Sequence, residues 1–130
     1  MKTFVAGCCA IVAFLAIPAL AHHSAAGVDQ TRSVTIVGVL KEFKWANPHS
    51  WMDIEVTDDK GVTKLWSVEM TAPTFLVRAG WTSKTVKAGD KVTVTVRPMR
   101  SGDPGGLFVN IILPDGRTLG QAPAAPRATQ

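Results

Sequence analysis

At 130 residues, 46% of them hydrophobic and 18% charged, the chain has the composition of one ordinary globular domain and not that of a disordered or multi-domain protein. Its net charge of +4 comes from scattered side chains with no run of five like signs, so it favours solubility and gives no sign of a nucleic-acid partner. Both cysteines, Cys8 and Cys9, fall in the first segment, which leaves the rest of the chain without a thiol for a disulfide or a thiolate metal site.

That first segment, residues 1–21, reads as a secretory signal peptide. Lys2 precedes an apolar run from Phe4 to Ile17, then come Pro18 and the small-x-small triplet Ala19-Leu20-Ala21. The run falls short of the roughly 20 apolar residues of a spanning helix, and no second run follows. The expectation is a periplasmic or secreted protein, cleaved after Ala21, with no membrane span. Residues 22–32 then form an N-terminal arm, residues 33–119 the domain, and residues 120–130, with two prolines and four alanines among the last ten, a disordered tail.

Ser33 to Trp45 is rich in Val, Ile, Thr and Phe and carries Gly38 in its middle, which predicts a long strand with a kink or bulge at the glycine. Asn47-Pro48 breaks it. From Trp51 to Thr57, Met52, Ile54 and Val56 alternate with Trp51, Asp53 and Glu55, predicting a strand with one buried face. Asp58 to Gly61 is a turn, and Val62 to Met70 completes a hairpin. Thr71 as N-cap, Pro73 in the first turn, Phe75, Leu76 and Ala79 at helical spacing, and Gly80 as terminator predict one short helix. Lys91 to Arg97 and Leu107 to Leu113 supply two more strands, with Gly102 to Gly106 a flexible connector.

The predicted fold is therefore all-β with one short helix, a small five-stranded OB-like barrel in the order β-β-β-α-β-β, with a small β-sandwich as the alternative. Closing the sheet would remove the open edges of so many apolar strands.

Candidate chemistry centres on the three histidines, His22, His23 and His49. Cleavage after Ala21 would make His22 the amino terminus, so one residue would carry an α-amine, titrating near pH ~7.7, and an imidazole, near ~6.5. Together with His49, in Asn47-Pro48-His49-Ser50-Trp51, this makes a three-nitrogen set of the histidine-brace kind. His23 can stand in for either histidine. Nitrogen donors of this sort favour copper, with zinc or nickel as alternatives. No His-x3-His or cysteine pattern supports a conventional zinc site.

Glu69, Met52 and Met70 lie near in sequence as further donors, Glu69 either as an oxygen ligand or as the acceptor that orients an imidazole. Core packing is the ordinary role for the two methionines, and a solvated carboxylate that for Glu69, which alternation places with Ser67 on the polar side. Trp51 and Trp66 fall on the second and third strands, where OB-type barrels stack extended ligands. They suggest a metal-free module that binds a peptide, glycan or envelope protein. No Ser-His-Asp order or acid–base pair stands out, so an enzyme is the less favoured reading.

His22-His23-Ser24, Trp45-x-Asn47-Pro48-His49-x-Trp51, Trp66-x-Val68-Glu69, Arg78-x-Gly80-Trp81 and Gly89-Asp90-x-Val92 together resemble an uncharacterised family, a domain of unknown function, of small exported bacterial proteins with a histidine pair after the signal peptide. The resemblance covers about residues 22 to 119. It implies a secreted or periplasmic β-rich domain and carries no established activity. Members usually read His-His-Ser-Phe, with an aromatic before the next aspartate, whereas Ala25 and Val28 stand at those places here. Combined with the residues themselves, the leading expectation is a periplasmic copper carrier or sensor.

Overall fold

The computed structural model describes residues 26–121, so His22 and His23 lie outside the described residues. It contains β1 (Val34–Lys44), β2 (Trp51–Thr57), β3 (Thr63–Glu69), helix α1 (Pro73–Arg78), β4 (Lys91–Pro98), β5 (Gly105–Ile112) and β6 (Thr118–Gly120). The strands are ordered β3-β2-β1-β4-β5-β6, and a further pairing of β3 with β5 closes the first five into a barrel. All neighbours are antiparallel except β3 and β5, which run parallel through Ser67–Gly105, Val68–Gly106 and Glu69–Leu107. This is the five-stranded OB-type closure with the helix between the third and fourth strands. The closing pair rules out an open sandwich. Among the described residues, no helix is long and apolar enough to cross a membrane.

Alternation builds the interior. Met52, Ile54, Val68, Val94 and Val96 are fully buried, and Val92 and Leu40 nearly so. Each aliphatic side chain taken out of water contributes on the order of 1.5–3 kcal/mol. Phe43, Trp45, Trp81 and Phe108 continue the core as a chain of edge-on and tilted rings with centroids 5.6–6.0 Å apart. The Trp81 indole N–H donates to the Gly120 carbonyl at 2.7 Å, tying the loop after α1 to a short sixth strand that the sequence did not announce. Gly120 and Gln121, assigned from sequence to the tail, thus belong to the folded part.

Three local expectations need correction. Gly38 is not a kink, because it pairs regularly with Val92, and the bulge in β1 falls between Leu40 and Glu42. The glycine serves a close approach instead, since a Cβ there would sit 2.3 Å from the Glu55 carbonyl oxygen and 2.8 Å from Ile54. Val39 is the crossing point, pairing with Lys91 of β4 on one side and Glu55 of β2 on the other. Secondly, Thr71 does not cap α1. Ala72 occupies the N-cap without a side-chain bond, and the Thr71 amide donates to Gln121 Oε1 at 2.7 Å. Leu76 is buried from this short helix while Phe75 stays exposed beneath Arg78. Thirdly, Gly105 and Gly106 are not connector but the start of β5. A Cβ on Gly105 would meet the Ser67 carbonyl at 2.8 Å, so the parallel closure requires a residue with no side chain there.

Gly38→Ala must push β1 off β2 at the crossing point. The expected loss is roughly 1–3 kcal/mol, the usual cost of overpacking, read as a lower denaturant midpoint at unchanged m-value. Stability equal to the parent would show that the strands can part there without cost.

Candidate functional site: the His49–Glu69 pair and its cavity

His49 is held by the backbone on either side of it. After the cis Asn47–Pro48 bond, Ser50 extends the β2–β3 ladder: its amide donates to Thr71 O at 3.2 Å and its carbonyl accepts from Met70 N at 2.8 Å. Ser50 is fully buried, with Oγ directed at the backbone of Ala46. The imidazole therefore starts from a fixed strand end. Its Nδ1 lies 2.7 Å from Glu69 Oε1 and 3.1 Å from the Met70 carbonyl oxygen.

Both neighbours of Nδ1 are acceptors. An imidazole nitrogen approaches a carboxylate oxygen this closely only if it carries a proton, so Nδ1 is the protonated nitrogen. In the neutral ring the lone pair then resides on Nε2. The ring is about one-third exposed, whereas the Glu69 side chain is 8% exposed. Glu69 is thus not the solvated carboxylate that alternation alone suggests. It does point to the outer face with Ser67, but the closing strand and the His49 loop cover it.

The outer face of β2 and β3 follows from the register. Trp51 stands opposite Glu69, and Asp53 opposite Ser67. Ser67 Oγ donates to Asp53 Oδ1 at 2.7 Å, and Lys44 Nζ lies 3.2 Å from Asp53 Oδ2. The Asp53 carboxylate, with help from Glu42, holds the Lys44 ammonium above its ordinary pKa. Beside this network a cavity of about 300 Å³ opens over the β3–β5 seam, walled by Trp51, Glu69, Leu107, Val28 and Met99. Val28 reaches it because the N-terminal arm is stitched to the end of β4. Val28 bridges Met99, Asp29 N donates to Pro98 O at 2.9 Å, and Arg100 N donates to Gly27 O at 2.9 Å.

Of the residues singled out from sequence, the structure brings His49, Glu69 and Trp51 together. Met52 and Met70 lie in the hydrophobic core, which removes both as metal donors. Trp66 pairs with the buried Ile54, on the opposite face from Trp51, and packs against the core. The two tryptophans therefore form no common stacking platform. His22 and His23 lie outside the described residues, and among those residues no group of three His, Cys, Asp or Glu side chains converges. Sequence reasoning missed Val28 and Leu107 as cavity walls. The one available signal was Gly105-Gly106, a pair that permits close strand approach.

A family model described as a family of unknown function, DUF6152, matches residues 10–109. The chain belongs to this family. Comparison of this DUF6152 chain with curated protein sequences gave no match. Among solved structures, the mitochondrial single-stranded DNA binding protein Rim1 of S. cerevisiae is similar at 16% identity and a TM-score of 0.47, covering 64% of this chain and 94% of that one. The OB-type assignment rests on strand order and closure in this structure.

The proton placement is directly observable. Long-range ¹H–¹⁵N spectra of the neutral His49 ring should show the Nδ1-protonated tautomer. A Glu69→Gln variant should weaken that preference, because Nδ1 loses the charged one of its two acceptors. A ring protonated on Nε2 in the parent protein would contradict the geometry.

Proposed function

We propose that this DUF6152 protein is an exported transition-metal binding protein, for copper above all, that acts as a carrier or sensor. His49 would supply one nitrogen, and the processed amino terminus the others, from His22 with His23 assisting. The export step is part of the proposal and rests on the leader pattern of residues 1–21.

The observation that carries this reading is the double-acceptor environment of His49 Nδ1. A carboxylate and a carbonyl behind one ring nitrogen fix the tautomer and leave the lone pair on the other, as carboxylates do behind metal-ligating histidines. The path of the arm supports it too. Val28 walls the same cavity as Glu69, and the four residues between it and His23 limit the Cα-to-Cα reach to at most about 18 Å. A tether of that length permits an amino terminus at residue 22 to approach the pair.

A neutral amine and two imidazoles are borderline donors that favour Cu(II), with zinc or nickel next. Bound copper would supply a redox-active or transferable cation. The chain's own residues then have separate tasks: Glu69 and the Met70 carbonyl orient His49, Ser50 anchors its backbone, and the core keeps Met52 and Met70 away from the ion. A stacking platform of Trp51 with Trp66 has no support, since the two rings occupy opposite faces.

Protein beginning at His22 is expected to take up about one equivalent of Cu(II). Adding a single residue ahead of His22 blocks the α-amine, and His49→Ala removes the ring; either change should weaken copper at least about tenfold, the scale on which lost shell residues act. Competition titration against a chromophoric chelator reads both. Equal affinity in all three proteins would refute the site.

A further inference from the structure

We infer that the cavity over the β3–β5 seam is a binding site for a small organic cation, a protonated amine carried on a compact apolar body. This goes beyond the metal proposal and requires no metal.

The walls set the two halves of the ligand. Val28, Met99 and Leu107 are apolar, and Trp51 adds a large ring. The volume, about 300 Å³, lies at the lower end of small-molecule pockets. Such a lining alone would accept any apolar body. The charge comes from Glu69, whose side chain is more than nine-tenths buried yet lines this space. Its Oε1 lies 2.7 Å from His49 Nδ1. As a residue of the cavity wall, Glu69 places its carboxylate at the edge of this apolar space.

A carboxylate oxygen in an apolar recess is a strong acceptor, because little water competes for it. An ammonium group satisfies it with a charge-assisted bond, and the Trp51 ring can attract the same cation through its π face. An anion is repelled, and a neutral alcohol gains only an ordinary hydrogen bond. The other nearby polar groups do not compete. Ser67 Oγ is committed to Asp53, which also holds Lys44.

The closure explains why the recess exists. Gly105, opposite Ser67, contributes no side chain, so the floor beside Glu69 stays open. Val28 seals one rim through its bridge to Met99. All these contacts come from the barrel and the stitched arm, so the recess is preformed.

The test uses the copper-free protein from residue 22 to 130 and two probes of nearly equal shape, 2-phenylethylamine and 2-phenylethanol, followed by calorimetry and tryptophan fluorescence. The amine is expected to bind at least tenfold more tightly than the alcohol. Glu69→Gln should abolish that difference. Leu107→Trp, which fills the cavity from its wall and leaves the carboxylate intact, should weaken both probes. No binding of either probe, equal binding of the two, or an amine preference that survives Glu69→Gln would overturn the inference. Copper uptake by the same preparations separates the two ideas: loss of metal binding with the amine preference intact removes only the metal site.

Discussion

The contact on which everything else depends is the parallel seam between β3 and β5. It joins only three residue pairs, Ser67–Gly105, Val68–Gly106 and Glu69–Leu107, yet it turns a sheet into a barrel and covers the end of β3. Without it Val68 would lose its cover. Glu69 would face water and its attraction to His49 would be screened. The seam is possible because Gly105 carries no Cβ where the Ser67 carbonyl passes. A backbone constraint at one glycine therefore fixes both the fold and the electrostatics of the candidate site.

How much of this was legible in the sequence depends on the range of the interaction. β2, β3 and β4 were read almost to their ends, because alternation such as Val92, Val94 and Val96 is a local signal of one buried face. The barrel followed from element order, with the helix between the third and fourth strands. The sixth strand stayed hidden. Thr118–Gly120 has only three residues, too few for periodicity, and is held by β5 and by Trp81 across a long sequence separation. The failure at Gly38 has the same origin: a glycine within a strand signals either a bulge or a close neighbour, and only the neighbour, Glu55, decides which.

The site divides along similar lines. His49 was conspicuous by its rarity and by the Asn47-Pro48 break before it, and Glu69 by its position at the strand end. Alternation correctly assigned Glu69 to the outer face. It could not disclose that the outer face is covered there, because the cover comes from residues 49 and 107. The tryptophans show the converse error. Trp51 and Trp66 sit on adjacent strands, but fifteen positions apart with a turn between them their parity is set by the register, and Trp66 faces inward with Ile54. Strand membership was readable while the face was not.

Burial of Glu69 needs a reason beyond stability. Taking a carboxylate from water costs several kcal/mol, and a partner one-third exposed such as His49 returns only part of that cost. An apolar residue at position 69 would pack against Trp51 and Leu107 without this penalty. The barrel core is already complete without the carboxylate, since Val68 and Met70 on either side of it point into that core and are buried. Folding alone therefore does not call for a charge at this place. What the charge does is hold a proton on one nitrogen of His49 and set a carboxylate in the wall of an apolar recess. Neither effect adds to the apolar interior, so the pair, and not that interior, is the part of the barrel on which the proposed binding rests.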